Sequence, residues 1–338
     1  LEAVEASPEE LLASSAAIET DDPYTSTAAY AMLGIDRSGE LSPALRSTLE
    51  TRGAFARMIA GSAGGPGLLT VRTDRPVTEH FGVAAWSVDH VLYGGESGRA
   101  DGIEELLRSA LGELRERGAS LVSVRVRADD LAALAAFQSH GFQVTDTMVT
   151  HSIKPRRPDQ PMALRREYGD LTIMAHTTEL LPDVDSSVVD AFADLLFRYY
   201  RTSRFHADRR LDPDLASSYY SRWCREAFAG RWSDGVIAAY RGSEPVGFVA
   251  GKFDDLAIEA SGIKIYGTGL AVSSGHGGFS ALVREYKRSG KQAIAVVFDT
   301  DISDFTTHVS NFPVHAAIAN HGSPRTLWAT HALHLWLD

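Results

Sequence analysis

The chain has 338 residues, of which 44% are hydrophobic and 23% charged, and its formal net charge is −11. These values are typical of a soluble globular protein with room for two domains, and no apolar run reaches the roughly 18 residues that span a bilayer. Because the chain is acidic and has no block rich in Lys and Arg, nucleic acid is excluded as the expected partner.

The first 66 residues are predicted to be a helical N-terminal extension. Ser7, Pro8 and Glu10 form a helix start with an N-cap, a first-turn proline and a capping-box acid, and helix-like sequence continues to about Ala60. The breaker cluster "GSAGGPG" at 61–67 then predicts a domain boundary near residue 66.

The segments "LLTVR", "AAWSVDHVLY" and "LVSVRVR" are typical of strands, and residues 103–117 between the last two carry the apolar stripe of a helix that packs on a sheet. Three prolines in "KPRRPDQP" at 154–161 indicate an exposed linker. We therefore expect one domain over 67–158 and another over 159–338.

The second domain begins with helical patterns at 190–200 and 215–230. The hairpin "DGVIAAYRGSEPVGFVAGKF" follows, then the strands "IKIYGTGLAV" and "AIAVVFD", a helix around 312–320 and the strand "ATHALHLWL". Asp299, Asp301 and Asp304, with His308, are residue types that bind metals, but the aspartates are predicted to lie in a polar loop, and His331 and His334 are predicted to lie on opposite faces of a strand. No metal site is therefore expected.

A glycine-rich turn precedes a predicted amphipathic helix that starts near Gly278. Gly275, Gly277 and Gly278 would let backbone N–H groups approach an anion, and the helix N-terminus adds partial positive charge. Two interpretations stay open: a cradle for a diphosphate, or a tight turn between a strand and a helix.

The two halves of the chain show a weak internal repeat. Each contains, in order, a helix, a glycine, a strand, a helix, a His-Gly pair and a strand, as in "LAAFQSHGFQVTDTMV" and "HAAIANHGSPRTLWAT". We therefore expect two similar α/β units, of which the first is degenerate because the Gly-rich turn is seen in the second.

This order of elements resembles the GNAT superfamily of acyl-CoA-dependent N-acyltransferases. The strings "SRFHADRRLDPDLASSYYSRWCREAFAGRWSDGVIAAYRGSEPVGFVAGK", "TEHFGVAAWSV" and "LAALAAFQSHGFQVTDTMV" are similar to members that act on nucleotide sugars, and the likeness covers about residues 67–338. The resemblance implies an α/β fold class: two GNAT-like units in tandem, with mixed, mostly antiparallel sheets flanked by helices.

The resemblance also implies an acyl-CoA site. Leu270, Ala271 and Val272 would offer backbone groups to the pantetheine arm and the thioester oxygen, while the segment of Gly275, His276, Gly277 and Gly278 would hold the diphosphate. Two departures from the family pattern are Ser274, where the family has Arg or Gln, and a turn that is a few residues shorter.

The family's general-acid tyrosine is replaced here by Ile318, in "NFPVHAAIANHG". Isoleucine cannot donate a proton. His315, one turn earlier on the same helical face, and Asn311 are the candidate catalytic replacements; the alternative for His315 is an ordinary surface or half-buried histidine.

Arg204, Phe205 and His206 are candidate contacts for an anionic acceptor that contains a ring, because Arg pairs with phosphate and an aromatic face stacks on a base or sugar. The alternative is a charged loop after a helix. Tyr219, Tyr220 and Trp223 are expected in the core rather than in a pocket.

The sequence thus predicts an N-acyltransferase that moves an acetyl or other short acyl group from acyl-CoA, its only expected cofactor, to a small-molecule amine. The alternatives are a pseudoenzyme that binds acyl-CoA or a nucleotide, and a transferase with an acyl-carrier protein as donor. The sequence leaves open whether the protein forms a homodimer, and no membrane partner is expected. Cys224 is the only cysteine, which favours the cytoplasm.

Overall fold

The molecule forms two compact units, Leu1–Met148 with Trp328–Asp338, and Val149–Leu327. The domain ranges expected from the sequence, 1–66, 67–158 and 159–338, stay predictions. The computed structural model describes residues 4–5, 45, 47–48, 50, 54–62, 65–93, 99–153, 165–177, 179–274, 301–311, 314–316 and 325–337.

The described elements follow in chain order. The first are β1 (Val4–Glu5), β2 (Phe55–Ser62), β3 (Gly65–Thr73), α1 (Arg75–Phe81), β4 (Ala85–Tyr93), α2 (Arg99–Glu116), β5 (Leu121–Arg127), α3 (Leu131–Ser139) and β6 (Gln143–Ile153). The others are β7 (Arg165–Tyr168), β8 (Leu171–Thr177), a short 3-10 turn (Leu181–Asp183), α4 (Ser186–Tyr199), α5 (Arg204–Ala207), α6 (Pro213–Phe228), β9 (Gly235–Arg241), β10 (Glu244–Phe253), α7 (Asp255–Ser261), β11 (Ile265–Ser273), β12 (Ile302–His308) and β13 (Arg325–Trp336).

The first unit is built on strands in the order β1-β2-β3-β4-β5-β13-β6. β4 and β5 are parallel, whereas β1 with β2, β2 with β3, β3 with β4 and β13 with β5 are antiparallel. Helix α2 packs on β2, β3 and β4, which confirms the predicted helix on a sheet. Its apolar stripe is buried throughout, as expected: Ile103, Leu106, Leu107, Ala110, Leu111 and Leu114.

The prediction that the first 60 residues are helical is wrong for the last part of this segment, because residues 55–62 form β2. Phe55 pairs with Val71 and Ser62 with Gly65, so the pairing of β2 with β3 extends into the glycine-rich cluster. Pairing with a neighbouring strand outweighs the local helix preference here. The predicted helix start at Ser7 lies outside the described residues.

The second unit has the strand order β6-β12-β11-β10-β9-β8-β7. Neighbouring strands from β7 to β11 are antiparallel, and β11 is parallel to β12. The predicted hairpin is confirmed as β9 and β10. Both units therefore have the predicted class, an α/β arrangement with a mixed, mostly antiparallel sheet flanked by helices.

The prediction of a polar loop around Asp304 is wrong, because residues 302–308 form β12. This strand lies between β11 and β6, and its first half pairs with β11, so much of its backbone is satisfied by pairing although its sequence is polar. Asp304 is only 7% exposed. The strand expected at 293–299 lies outside the described residues.

Helices α4 and α6 pack against each other and enclose an aromatic core in the second unit. Phe192 of α4 stacks on Phe228 of α6 with ring centroids 5.2 Å apart and contacts Tyr240 and Phe248 of the sheet at 5.5 and 5.4 Å. These rings hold α4 against the sheet, and so fix the position of the residues that follow α4.

His176 on β8 is a buried titratable group in the same core, with its ring 6.5 Å from that of Phe228. Burial lowers the pKa of His176, so the folded protein holds this ring neutral. As the pH falls below about 6.5, the unfolded chain takes up a proton at this position before the folded chain does, and stability is lost.

We therefore expect His176→Gln to reduce the loss of unfolding free energy between pH 7.5 and pH 5.5. Urea denaturation at the two pH values measures this difference. His140→Gln, at the half-buried end of α3, is the control for the exchange of histidine for glutamine, and it should change this difference less than His176→Gln does. An unchanged pH dependence in His176→Gln would show that the buried ring does not contribute to acid sensitivity.

Candidate active site

The parallel strands β11 and β12 separate part-way along their length. They pair from Ile265 opposite Ile302 to Thr268 opposite Phe305, and β11 then continues to Ser273 and β12 to His308 without further pairing between these described residues. The separation leaves backbone N–H and C=O groups of β11 facing an opening, where they can bind an extended ligand.

A bulge lies at the point of separation. Ala250 pairs with Leu270 and Gly251 with Thr268, so Gly269 is an extra residue in β11. Gly269 is exposed, whereas the Leu270 and Val272 side chains are buried. A bulge re-aims the backbone groups beside it, which suits a position where a backbone N–H must meet a ligand atom.

Strand β10 approaches β11 closely behind this bulge. A Cβ added to Gly251 would lie 2.4 Å from the carbonyl oxygen of Gly267 and 2.6 Å from Cε1 of Tyr266. A Cβ added to Gly267 would meet only the Lys252 carbonyl oxygen, at 3.8 Å. The position of the bulge therefore depends on the absence of a side chain at Gly251.

An aromatic wall runs from the bulge toward the end of β12; it consists of Trp232, Trp223, Tyr219, Tyr220 and Tyr200. A Cβ added to Gly269 would be 3.0 Å from the Trp232 ring, so the indole lies beside the bulge. The ring centroids of Trp232 and Trp223 are 5.6 Å apart, those of Trp223 and Tyr220 6.2 Å, and those of Tyr220 and Tyr200 4.5 Å. Trp223, Trp232 and Tyr200 are half-buried, whereas Tyr219 and Tyr220 are buried, as expected.

Tyr200 reaches across the opening between the two strands. It follows α4, which packs on β10 and β11, yet its hydroxyl lies 3.1 Å from Nε2 of His308 at the end of β12. The two rings meet edge to face, with centroids 6.0 Å apart. A phenol and an imidazole thus form a hydrogen-bonded pair over the part of the sheet where β11 and β12 are separated.

The main chain of His308 is anchored by the two residues predicted to be catalytic. Its carbonyl oxygen accepts the backbone N–H of Asn311 at 2.9 Å and lies 3.0 Å from Nε2 of His315. The Asn311 side chain also donates to Thr307 Oγ1 at 3.2 Å. The structure therefore brings Asn311 and His315 together at the end of β12, where both hold the residue that contacts Tyr200.

A third histidine, His151, continues this chain of hydrogen bonds. His151 Nε2 lies 3.0 Å from His315 Nδ1, and His151 Nδ1 lies 3.2 Å from Thr326 Oγ1. Because a carbonyl oxygen can only accept, His315 Nε2 donates to it. In the neutral ring His315 Nδ1 is then an acceptor, so His151 Nε2 donates the hydrogen bond to His315 Nδ1. Burial, and then the nearby His315, lower the pKa of His151, which favours this neutral arrangement.

Similarity to known proteins is found at the level of structure. No protein-family model and no curated protein matches the sequence. A GCN5-related N-acetyltransferase from Sphaerobacter thermophilus matches with a TM-score of 0.58 at 16% identity, over 99% of this chain and 95% of that one. A tandem GNAT protein from the clavulanic acid biosynthesis pathway matches with a TM-score of 0.53 at 12% identity, over 99% and 98% of the two chains.

The chain has a tandem GNAT fold. Both units repeat its central feature, since β4 and β5 of the first unit also pair in parallel, from Ala85 opposite Leu121 to Val88 opposite Val124, and then separate. The bulge recurs as well, with Asp89 as the extra residue between the partners of Thr70 and Val71.

The two GNAT units differ in what occupies the bulge. Asp89 is buried and accepts hydrogen bonds from Ser87 Oγ at 2.9 Å and Thr48 Oγ1 at 3.4 Å, and it forms an ion pair with Arg72. The first unit thus places a carboxylate with its own partners at the position where the second has an exposed glycine. This difference identifies the second unit as the better candidate for an active site on the GNAT fold.

All three predicted acceptor contacts are engaged within the protein. Phe205 is 2% exposed and packs edge to face on Tyr219, and the Arg204 guanidinium lies 4.7 Å from the Phe205 ring centroid. His206 lies between Ser203 Oγ at 2.8 Å and Ser217 Oγ at 3.1 Å. Burial, then the charges of Arg201 and His308, lower the pKa of His206. Substrate contacts by Arg204, Phe205 and His206 stay predictions.

The proposed diphosphate segment, Gly275 to Gly278, lies outside the described residues, as does Ile318. Within the part of the chain that the structure describes, no helix is long and apolar enough to cross a membrane, and no three Asp, Glu, His or Cys side chains converge as metal ligands would. The expectation of a site without metal stays a prediction.

Sequence reasoning missed Tyr200, His308 and His151 as parts of one site on this GNAT fold. Tyr200 and His308 are 108 residues apart, and His151 and His315 are 164 apart, so no local motif joins them. The available signal was weak: His308 follows a polar run, and His151 stands just before the proline-rich segment.

Proposed function

We propose that the chain is an acyl-CoA-dependent N-acyltransferase that transfers an acetyl or other short acyl group directly to the amine of a small molecule. The observation that carries this proposal is the separation of β11 and β12 at the exposed Gly269, opposite the Tyr200–His308 pair. An extended thioester and an amine can meet there, with ionisable groups within reach.

The proposed donor site follows β11. Leu270, Ala271 and Val272 would hold the pantetheine arm through their backbone groups, and a backbone N–H at the bulge would stabilise the oxyanion that forms when the amine attacks the thioester. The segment of Gly275, His276, Gly277 and Gly278 would hold the diphosphate. Holding the two reactants in contact supplies a large part of the rate in such a direct transfer.

The acceptor site would lie on the side of the aromatic wall. The sequence strings that resemble nucleotide-sugar members of the family, dTDP-fucosamine N-acetyltransferase among them, favour a nucleotide-linked amino sugar as the acceptor, with Arg204, Phe205 and His206 near its anionic group. His315 and Asn311 are proposed to support proton transfer in place of the missing tyrosine. A biosynthetic role fits an enzyme that acylates a small amine.

Two alternatives to the proposed function rest on other observations. Ile318 and Ser274 motivate a pseudoenzyme that binds acyl-CoA or a nucleotide without turnover. The shortened turn motivates a donor carried on an acyl-carrier protein. Turnover of any amine would exclude the pseudoenzyme, and tight binding of free acetyl-CoA would count against the carrier protein.

Isothermal titration with acetyl-CoA tests the donor site. We expect micromolar binding by the wild type and at least tenfold weaker binding by Gly277→Glu, because the new side chain would place bulk and negative charge where the diphosphate is proposed to bind. Gly112→Glu on α2 is the matched control, since a Cβ there meets nothing within 4 Å. Equal binding by the two variants would place the diphosphate elsewhere, and no binding by the wild type would overturn free acyl-CoA as the donor.

A further inference from the structure

We propose that Tyr200 and His308 form the proton relay of the acyl transfer, with Tyr200 as the catalytic residue that touches the acceptor nitrogen and His308 as the group that takes the proton through it. This inference rests on the proposed function. It assigns the acid–base chemistry to the end of α4 and the end of β12, instead of to the helix where the family tyrosine is missing.

The position of the pair supports this assignment. Tyr200 is half-buried at the end of the aromatic wall, whereas His308 is 5% exposed behind it. A substrate in the opening between β11 and β12 would therefore meet the phenol before the imidazole. The 3.1 Å contact between the Tyr200 hydroxyl and His308 Nε2 is within the range for proton transfer along a hydrogen bond.

The reaction balances with this pair alone. The amine nitrogen attacks the thioester carbon, forming a C–N bond and a tetrahedral intermediate whose nitrogen carries an extra proton. That proton passes to the Tyr200 oxygen while the Tyr200 proton moves to His308 Nε2. When the C–S bond breaks, His308 returns its proton through Tyr200 to the sulfur, which leaves as a thiol, and both residues regain their starting state.

The surroundings of His308 keep it in place for this role. Its carbonyl oxygen is held by Asn311 and by His315, and His315 is held by His151, so these three are positioning residues in the proposal. Among the titratable groups that lie against His308 are Tyr200 and His315. His206 of α5 is close enough for the charge of His308 to lower the pKa of His206.

The substitution Tyr200→Phe tests the relay, because it removes one oxygen and keeps the ring that packs on Tyr220. We expect kcat to fall about 10²–10⁴-fold, while the KM and the Kd for acetyl-CoA stay unchanged. Tyr199→Phe is the matched control, since Tyr199 is the preceding residue and is 51% exposed, and it should keep the wild-type kcat. The pH profile of kcat/KM should lose one limb in Tyr200→Phe.

A second variant, His308→Gln, should show the same loss of kcat and of the pH limb. His315→Gln should show a smaller loss than either, because that residue only positions His308. A Tyr200→Phe variant that retains wild-type kcat and the wild-type pH profile, with acetyl-CoA still bound, would overturn the relay and leave the proposed function standing. A wild type that neither binds acetyl-CoA nor acylates any amine would overturn both.

Discussion

Replacing Phe192 with alanine is expected to lower the free energy of unfolding of the second unit by about 3–5 kcal/mol. The ring is fully buried and packs on Phe228, Tyr240 and Phe248, so its removal leaves a cavity between α4, α6 and the sheet. Chemical denaturation followed by circular dichroism measures the change. Because α4 carries Tyr200 into the site, loss of activity should accompany loss of stability.

Phe197→Ala is the control for this prediction. Phe197 belongs to the same helix but is 36% exposed, with the Arg201 guanidinium 5.4 Å from its ring centroid. We expect its truncation to cost about 1 kcal/mol or less, as surface substitutions usually do. Equal losses in the two variants would show that the aromatic core does not hold α4 in place.

The substitution Gly251→Ala should damage stability and acyl transfer together. The new Cβ would collide with the backbone of β11 at Gly267, so β10 and β11 must move apart beside the bulge. Overpacking of this kind costs about 1–3 kcal/mol. Displacement of a reacting group by about 1 Å can cost on the order of 100-fold in rate, and we expect kcat/KM to fall by about that factor.

Gly267→Ala offers a matched control on the paired strand. Its Cβ would meet the Lys252 carbonyl oxygen at 3.8 Å, which is an ordinary van der Waals contact. Denaturation and kinetics should therefore resemble those of the wild type. If both alanine variants behaved alike, the close approach at Gly251 would have no bearing on the geometry of the bulge.

The sequence was sufficient to predict the elements in which apolar residues recur at a regular spacing. The α2 stripe from Ile103 to Leu114 repeats every three or four residues, and the β9–β10 hairpin has a Gly-Ser turn between two apolar runs, so both were predicted. β12 was missed because a strand between two neighbours can bury Ser303 and Asp304 without an apolar pattern.

The candidate site was predicted only in part. Asn311 and His315 were found because they stand near the missing tyrosine in one short motif. Their contact with His308, and the contact of His308 with Tyr200, depend on how β12 meets the end of α4, which no single segment encodes. The same holds for Trp232, which contacts Gly269 only after β9, β10 and β11 have paired.

The sheet of the first unit includes β13 beside β5, and this strand order affects how the protein folds during its synthesis. Thr145 of β6 donates to the carbonyl oxygen of Ala332, 187 residues away in the chain. Closing so long a loop adds little to the equilibrium cost but slows folding, because the pairing is non-local. During synthesis, nearly all of the second unit emerges before β13 does, so the first unit, although it is translated first, is the last to complete its sheet.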